Sequence, residues 1–276
     1  MRLPPRITRV VLGCTLAAAC LVACDPQPTG PPPSPPAPPE ITSADATTCA
    51  PPACDQIVAT VDLAWRPSTS PIAGYRVLRD GEEIASLPPI GPVSTSVEDR
   101  SAVIGATHRY EVVAVGDDGT RSLSAPAIVV VPLPPVESAQ VEGAFRVTRR
   151  VTRAKNLKEL EGISDPHPGV EAAAEWTFVA TCPPAFGACP IRWNGHPGLL
   201  VPDGGLYRGD SAAGFARCPG GGRVRAPIRF RLRVTEARVV GGAWVASEIR
   251  GRLSSAFACP GFAPSSGAAR YAGVRR

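Results

Sequence analysis

Short segments of alternating apolar and polar residues, separated by turn residues, recur through the first half of the chain. A period of two residues is typical of strands with one buried face. Asp80-Gly81 stands between two of these segments and is a typical hairpin turn. The segments are 61–65, 75–79, 83–85, 109–115 and 127–131. Regularly spaced short strands of this kind predict an antiparallel β-sandwich over residues 41–132.

The same alternation returns after the proline-rich boundary 132–135, which reads Pro-Leu-Pro-Pro. The clearest case is 228–234, and two further strands follow Gly241-Gly242, which is a hairpin signal. The predicted strands are 145–147, 175–179, 190–193, 206–208, 228–234, 243–246 and 249–253. About 140 residues are ample for a second domain. We predict an antiparallel β-barrel or β-sandwich over 136–276, with a short helix at 154–162.

The N-terminus carries an apolar segment of a different kind. Arg2, Arg6 and Arg9 precede an uncharged apolar or small run at 10–23. A run of this length is too short for a transmembrane helix, which needs about 20 residues. A positive start, a short apolar middle and a small residue before the cut predict a secretory signal over 1–23.

A proline-rich segment follows the signal. Residues 25–40 contain nine prolines, which is typical of an extended polyproline II spacer. At about 3.1 Å per residue, such a spacer reaches roughly 50 Å. We therefore predict a stalk over 24–40.

The end of the apolar run reads Leu21-Val22-Ala23-Cys24 and resembles a bacterial lipobox. The resemblance implies cleavage before Cys24 and a diacylglyceryl thioether on its sulfur. Two acyl chains give stable membrane anchoring where one gives only marginal binding. The expected location is the cell membrane, lipid-anchored, on the extracellular or periplasmic side. A composition rich in arginine, alanine, proline and glycine favours an actinobacterial source.

The cysteine count agrees with this reading. Cleavage removes Cys14 and Cys20 and lipidation uses Cys24, so six of the nine cysteines remain in an oxidising compartment. Two of the six lie alone in the first folded half, and two more bracket a turn-rich segment in the second half, which leaves the last two for each other. The predicted pairs are Cys49–Cys54, Cys182–Cys189 and Cys218–Cys259.

The first folded half resembles a fibronectin type III module. The resemblance rests on Leu63-x-Trp65, on Gly74-Tyr75-x-Val77, and on Gly105-x-Thr107 before Tyr110-x-Val112-x-Ala114-Val115. It implies that Trp65 and Tyr75 are core residues and that the module is a spacer or binding unit. His108 departs from the family, since it stands where a corner tyrosine is usual. The second half is loosely similar to a small β-domain of actinobacterial secreted proteins, a family that implies no activity.

Arginines are concentrated towards the C-terminus. Residues 223–276 contain eleven arginines and two acids, and Arg229, Arg231 and Arg233 alternate with apolar residues. Together with Arg225 they form a candidate face for an anionic partner such as a wall polymer, lipid headgroups or another envelope protein. The alternative is a solvated strand face in an arginine-biased chain. Loss of the three signal arginines lowers the formal charge from +5 to +2, which favours this alternative. Nucleic acid is not an expected partner outside the cell.

Residues for catalysis or metal binding do not form a recognisable pattern. His167 and His196 lie in turn-like segments, no Cys-x-x-Cys occurs, and no metal or cofactor is predicted. Gly209-Asp210-Ser211 resembles a protease nucleophile motif but lacks the glycines that follow it there. The candidate acids are Glu171, Glu175, Asp203 and Asp210, without recognisable spacing. We therefore expect a non-catalytic surface lipoprotein with a role in binding, adhesion or scaffolding. The alternatives are an enzyme or enzyme accessory acting on wall glycan or peptide, and a small-ligand-binding β-barrel.

Overall fold

The computed structural model describes residues 34–88, 95–160, 162–193, 196–211, 215–219 and 221–276. The described chain is almost entirely antiparallel β-strand, which confirms the all-β class. Residues 35–276 form one compact unit with two lobes. The predicted signal, Cys24 and most of the predicted stalk lie outside the described residues. None of the described helices has the length and apolarity needed to cross a membrane.

The first lobe consists of two packed antiparallel sheets. Its strands are β1 Glu40–Cys49, β2 Val58–Arg66, β3 Gly74–Arg79, β4 Glu82–Leu87, β5 Ser96–Asp99, β6 Thr107–Val115, β7 Arg121–Leu123 and β8 Ala127–Val130. One sheet has the order β1-β2-β5 and the other β4-β3-β6-β7, with β8 also paired to β6. Trp65 and Tyr75 are buried between the sheets, with ring centroids 5.5 Å apart. The alternation seen in the sequence therefore points one side of each strand into this core.

The predicted hairpin turn joins β3 to β4. Asp80 has φ 53° and Gly81 has φ 87°, so both central residues take the left-handed backbone that a two-residue hairpin loop needs. The start of the lobe differs slightly from the prediction. Pro36 and Pro39 are buried and the Ala37 N–H donates to Ser70 Oγ at 3.0 Å, so the last residues of the predicted stalk belong to the folded lobe.

A buried carboxylate links the two sheets of the first lobe. Asp99 accepts hydrogen bonds from Arg79 Nη1 at 2.7 Å, from the Tyr110 hydroxyl at 2.8 Å, and from the Ser101 N–H and hydroxyl at 2.8 and 2.7 Å. Burial by itself would raise the pKa of Asp99. The hydrogen bonds from Ser101, Tyr110 and Arg79 outweigh it and lower the pKa below the usual value.

His108 occupies the corner position noted in the sequence. The Val103 N–H donates to its Nε2 at 3.2 Å, which leaves the proton on Nδ1 to be donated to Asp80 Oδ2 at 2.6 Å. The imidazole thus reaches back to backbone five residues upstream, as the hydroxyl of a corner tyrosine does. Both ring nitrogens are engaged in this structural role.

The second lobe is a closed barrel rather than a sandwich. Its strands are β9 Gly143–Lys155, β10 Glu159–Leu160, β11 Ile163–Ser164, β12 Glu171–Ala180, β13 Ile191–Trp193, β14 His196–Asp203, β15 Leu206–Ser211, β16 Phe215–Arg217, β17 Arg223–Arg225, β18 Ile228–Val240, β19 Ala243–Phe257 and β20 Ser265–Arg275. Eight of them close in the order β12-β13-β14-β15-β18-β19-β20-β9. The short pairs β10-β11 and β16-β17 form separate two-stranded sheets. Each strand predicted in this half overlaps one of these strands, and the predicted strands 243–246 and 249–253 are parts of the single strand β19.

Aromatic side chains fill the described barrel interior. Trp176 lies 4.3 Å from Trp193 and 4.8 Å from Tyr271 between ring centroids, and Trp193 lies 4.4 Å from Phe230. All four are buried. An eight-stranded barrel has an interior of the size that side chains can fill, and the apolar residues of the alternating strands fill it here.

The predicted helix at 154–162 is wrong. Ala154 and Lys155 end β9 and pair with β20, and β10 follows after Asn156, which has φ 54°. A helix of nine residues is marginal by itself. The ladder hydrogen bonds that close the barrel therefore determine the conformation here.

The two lobes meet at one end of the barrel, where β18 and β19 extend beyond it. The Gln140 N–H donates to Trp244 O at 3.0 Å, and the Ile57 N–H donates to Ala185 O at 2.7 Å. Glu40 pairs with Arg66 and Cys49 with Val58, so β1 begins at the end of the first lobe that is away from this junction.

The three disulfides join the cysteines that the sequence paired. They are Cys49–Cys54, Cys182–Cys189 and Cys218–Cys259, with sequence separations of 5, 7 and 41 residues. The first closes the β1–β2 turn, and the last joins the segment after β16 to the segment after β19. This last disulfide therefore lies at the end of the barrel where β19 ends, away from the first lobe.

Replacement of Asp99 by Ala should lower the free energy of unfolding by about 3 kcal/mol at neutral pH, because Arg79 loses its buried partner. A lowered pKa stabilises the fold above the unfolded pKa of about 3.9, and this contribution is lost as pH falls through the folded pKa. The variant and the wild type should therefore converge in acid. Urea unfolding at several pH values measures this. Glu98→Ala is the control, since its exposed pair with Arg100 contributes at most about 1 kcal/mol.

Removal of Cys218–Cys259 should destabilise the protein more than removal of Cys49–Cys54. The chain-entropy model gives about 3 to 4 kcal/mol for the long loop and about 2 kcal/mol for the short one. The double variants C218A/C259A and C49A/C54A, compared by chemical unfolding, test this order. An equal loss in both variants would contradict the loop-length explanation.

Candidate anion-binding surface

The three alternating arginines of β18 lie on the outer wall of the barrel. Phe230, Leu232 and Val234 are buried inside it, so Arg229, Arg231 and Arg233 between them point to solvent. The period of two therefore separates an apolar inner face from a cationic outer face.

Neighbouring strands carry arginines in register with those of β18. Arg231 is the direct partner of Arg208 on one side and of Arg252 on the other. Arg252 in turn pairs with Arg270, and Arg270 pairs with Arg150. We call this set the arginine row: Arg208, Arg231, Arg252, Arg270 and Arg150, from β15, β18, β19, β20 and β9. All five side chains are exposed.

The arginine row places like charges side by side. Neighbouring strands lie about 4.8 Å apart, and like charges directly opposite each other destabilise a sheet. Acidic residues reduce the repulsion at the two ends of the row, since Arg208 pairs with Asp203 at 3.0 Å and Arg150 lies 3.8 Å from Glu171. The three central arginines make no ion pair with any residue of the described chain. The centre of the row is therefore a concentrated positive charge.

A shallow depression of about 440 Å³ opens beside the row. We call it the outer depression. Four guanidinium groups, two hydroxyl groups and one small residue line it. These residues are Thr152, Arg153, Arg229, Arg231, Arg252, Ser254 and Ala268. They come from four adjacent strands, β18, β19, β20 and β9, so the depression exists only once the barrel has closed.

A β-bulge supplies two of these lining residues. The register of β9 against β20 shifts between Val151 and Arg153, so Thr152 and Arg153 are both exposed although they are consecutive. The Thr152 hydroxyl donates to Ala268 O at 3.1 Å, which holds the bulged strand against β20. Bulges commonly re-aim side chains at functional sites, and this one directs both residues to the outer depression.

The barrel interior supports the centre of the row from behind. The Tyr271 hydroxyl donates to Arg231 O at 2.9 Å, and its ring crosses β19 at Gly251. A Cβ at Gly251 would collide with both Arg231 O and the Tyr271 ring. Glycine at this position therefore lets a buried tyrosine hold the backbone of an arginine whose side chain faces solvent.

The structure brings together part of the face that the sequence proposed. Arg229 and Arg231 line the outer depression, and Arg233 lies on the same wall opposite Arg250. Arg225 belongs to β17, in the two-stranded sheet outside the barrel. Sequence reasoning missed the arginines of β9, β15, β19 and β20, because no local pattern shows which residues of distant strands lie in register.

The candidate acids lie beside arginines in the structure. Asp203 and Glu171 pair with the ends of the row, Arg276 Nη1 lies 2.7 Å from Glu175, and Arg229 Nε lies 4.0 Å from Asp210. The Gly209-Asp210-Ser211 motif is part of strand β15 and not of a loop. Among the residues that the structure describes, no group of three or more His, Cys, Asp or Glu side chains could hold a metal ion.

Comparison with known proteins gives little. No family model matches the chain, and no curated protein matches it. Among solved structures, a Yersinia enterocolitica family 28 exopolygalacturonase is similar with a TM-score of 0.26 and 14% identity. The match covers 38% of this chain and 21% of that chain. A similarity this low carries no argument about the fold or the activity of this protein.

Neutralisation of the centre of the row should stabilise the fold. Arg252→Gln removes like-charge repulsion with Arg231 and Arg270, and should raise the free energy of unfolding by about 0.2 to 1 kcal/mol at low salt. The gain should disappear near about 1 M salt, where the Debye length is about 3 Å. Urea unfolding at two salt concentrations measures it.

Arg66→Gln is the matched control, because Arg66 is exposed but pairs with Glu40 at 2.9 Å. It should leave stability unchanged or slightly lower, within about 1 kcal/mol. A loss of stability in the Arg252 variant at low salt would show that the repulsion is already compensated.

Proposed function

We propose that this protein is a lipid-anchored, non-catalytic component of the cell surface that binds an anionic polymer of the cell wall through the outer face of its barrel. The arginine row carries the proposal. Adjacent cations on neighbouring strands create a field that attracts an anionic partner. A partner that neutralises the row also removes its internal repulsion, so binding and relief of strain act in the same direction.

The cysteine pairing supports the lipid anchor. The three disulfides of the described chain use six cysteines, and Cys24 is the one other cysteine in the sequence after the proposed cleavage site. Lipidation of Cys24 accounts for it in an oxidising compartment, where an unpaired thiol is reactive.

The position of the barrel in the folded unit favours the wall over the membrane as the partner. β1 begins at the end of the first lobe away from the barrel, and the barrel joins the lobe at the opposite end. In this proposal the chain enters the first lobe at β1, and the first lobe is a fibronectin type III-like spacer that separates this entry point from the barrel.

A binding role also agrees with the use of the acids. Each of the four acids that the sequence offered for catalysis lies next to an arginine. Their ion pairs act as the borders of a cationic surface. The proposed function therefore needs no catalytic group.

The soluble chain from residue 25 should be retained on purified wall at low salt and released at high salt, because contacts between exposed charges are screened. Retention should exceed that on membranes. In cells, fatty-acid labelling should depend on Cys24, and Cys24→Ser should abolish it. Failure of the soluble chain to bind wall at any salt concentration would refute the anionic partner, and labelling that survives in the variant would refute the anchor.

A further inference from the structure

We propose that the arginine row binds a linear polymer linked by phosphodiester groups, which lies across the strands and around the barrel, with one phosphate in the outer depression. This proposal rests on the proposed function and names the chemistry of its partner. It predicts a direction for the bound polymer, a minimum length, and the side chains that hold it.

The row has the dimensions of a polymer site. Five adjacent strands about 4.8 Å apart give a row roughly 20 Å long, measured across the strands. One small anion would neutralise only the arginines nearest to it and would leave the repulsion elsewhere in the row. A chain of successive anionic groups neutralises the three central arginines together, so binding should strengthen with polymer length until the row is covered.

The outer depression favours phosphate over carboxylate. Arg153 approaches from β9, Arg229 and Arg231 from β18, and Arg252 from β19. A carboxylate presents two oxygens in one plane and suits a single guanidinium fork. A phosphodiester is tetrahedral, and its two charged oxygens point in different directions, so it can accept from guanidinium groups on several sides at once.

The other lining residues fit the same group. Ala268 on β20 is small and lies between the arginine-bearing strands β19 and β9, while its partner Ser254 on β19 has a hydroxyl that can donate to a phosphate oxygen. The bulge in β9 directs Arg153 to this place, where regular alternation would have turned it away. The depression is thus a local widening of the row that holds one group more closely than its neighbours.

The curvature of the barrel wall favours a polymer over a membrane as the partner, although both carry phosphodiester groups. The row crosses five of the eight strands of a closed barrel, so it lies on a convex wall. A flat lipid surface meets a convex wall over only part of this arc, whereas a flexible polymer can follow all of it. We therefore assign the row to a soluble or wall-linked polymer and not to lipid headgroups.

The test uses the soluble chain from residue 25, which contains the whole compact unit 35–276 and its three disulfides. The probes are synthetic poly(glycerol phosphate) chains of about two, five and eight phosphates, polygalacturonate, and vesicles of anionic phospholipid. Calorimetry or fluorescence anisotropy measures affinity. The affinity per chain should rise from the shortest to the intermediate probe and should exceed that for polygalacturonate and for vesicles.

The decisive variant is R231Q/R252Q/R270Q. It should weaken binding of the intermediate probe at least tenfold, and should reduce the slope of log affinity against log salt by about 2, as expected for three lost contacts at about 0.7 each. The control R66Q/R100Q/R121Q removes the same charge from exposed positions of the first lobe. It should stay within about threefold of wild type. Equal weakening by both variants would overturn the row as the site, because net charge alone would then explain binding.

A second variant tests the outer depression separately. Ser254→Glu places a carboxylate beside Arg229 and should weaken phosphate binding at least tenfold, while thermal stability stays equal or rises because like charges are relieved. Phosphate binding by this variant that equals the wild type would overturn the depression as the place of one phosphate. If the wild type binds vesicles or polygalacturonate as tightly as the intermediate poly(glycerol phosphate) probe, or more tightly, the choice of polymer is overturned. Wall retention without binding of any phosphate probe would refute this inference and leave the proposed function standing.

Discussion

Closure of the eight-stranded barrel is the constraint on which the rest of the second lobe depends. Closure gives every barrel strand two partners, so each register is set on both sides and a slip of one residue would turn a whole strand inside out. The aromatic cluster around Trp176 then fills the interior. The path of Tyr271 across Gly251 to Arg231 O shows how tightly inner packing and the position of the outer wall are connected.

The same closure creates the charged surface. Arg231 has an arginine on each side because β15 and β19 are its neighbours in the barrel, and Arg270 and Arg150 continue the series. Like charges directly opposite each other reduce stability. Under the proposed function, this loss of stability accompanies a local field that attracts the anionic partner.

Much of the fold could be predicted because its signals are local. Alternation located the strands around Val61 and Phe230, Asp80-Gly81 located a hairpin, and the grouping of the cysteines along the chain led to the three observed disulfides. The segment at 154–160 is an exception. The sequence predicted a helix there, but pairing of β9 with β20 supplies backbone hydrogen bonds, and a helix of this length is only marginally stable by itself.

What the sequence determined by itself is therefore the all-β class, the position of most strands, the disulfide pairs, and the cationic outer face of β18. These follow from periodicity, turn chemistry and counting, which need only neighbouring residues. Only the tertiary structure decided that the second lobe closes into a barrel, that five arginines from five strands lie in register, and that Thr152 and Arg153 both face outwards. The physical reason is that register between strands far apart in sequence is set by closure and core packing. The sequence of a single strand does not show which residues lie beside it.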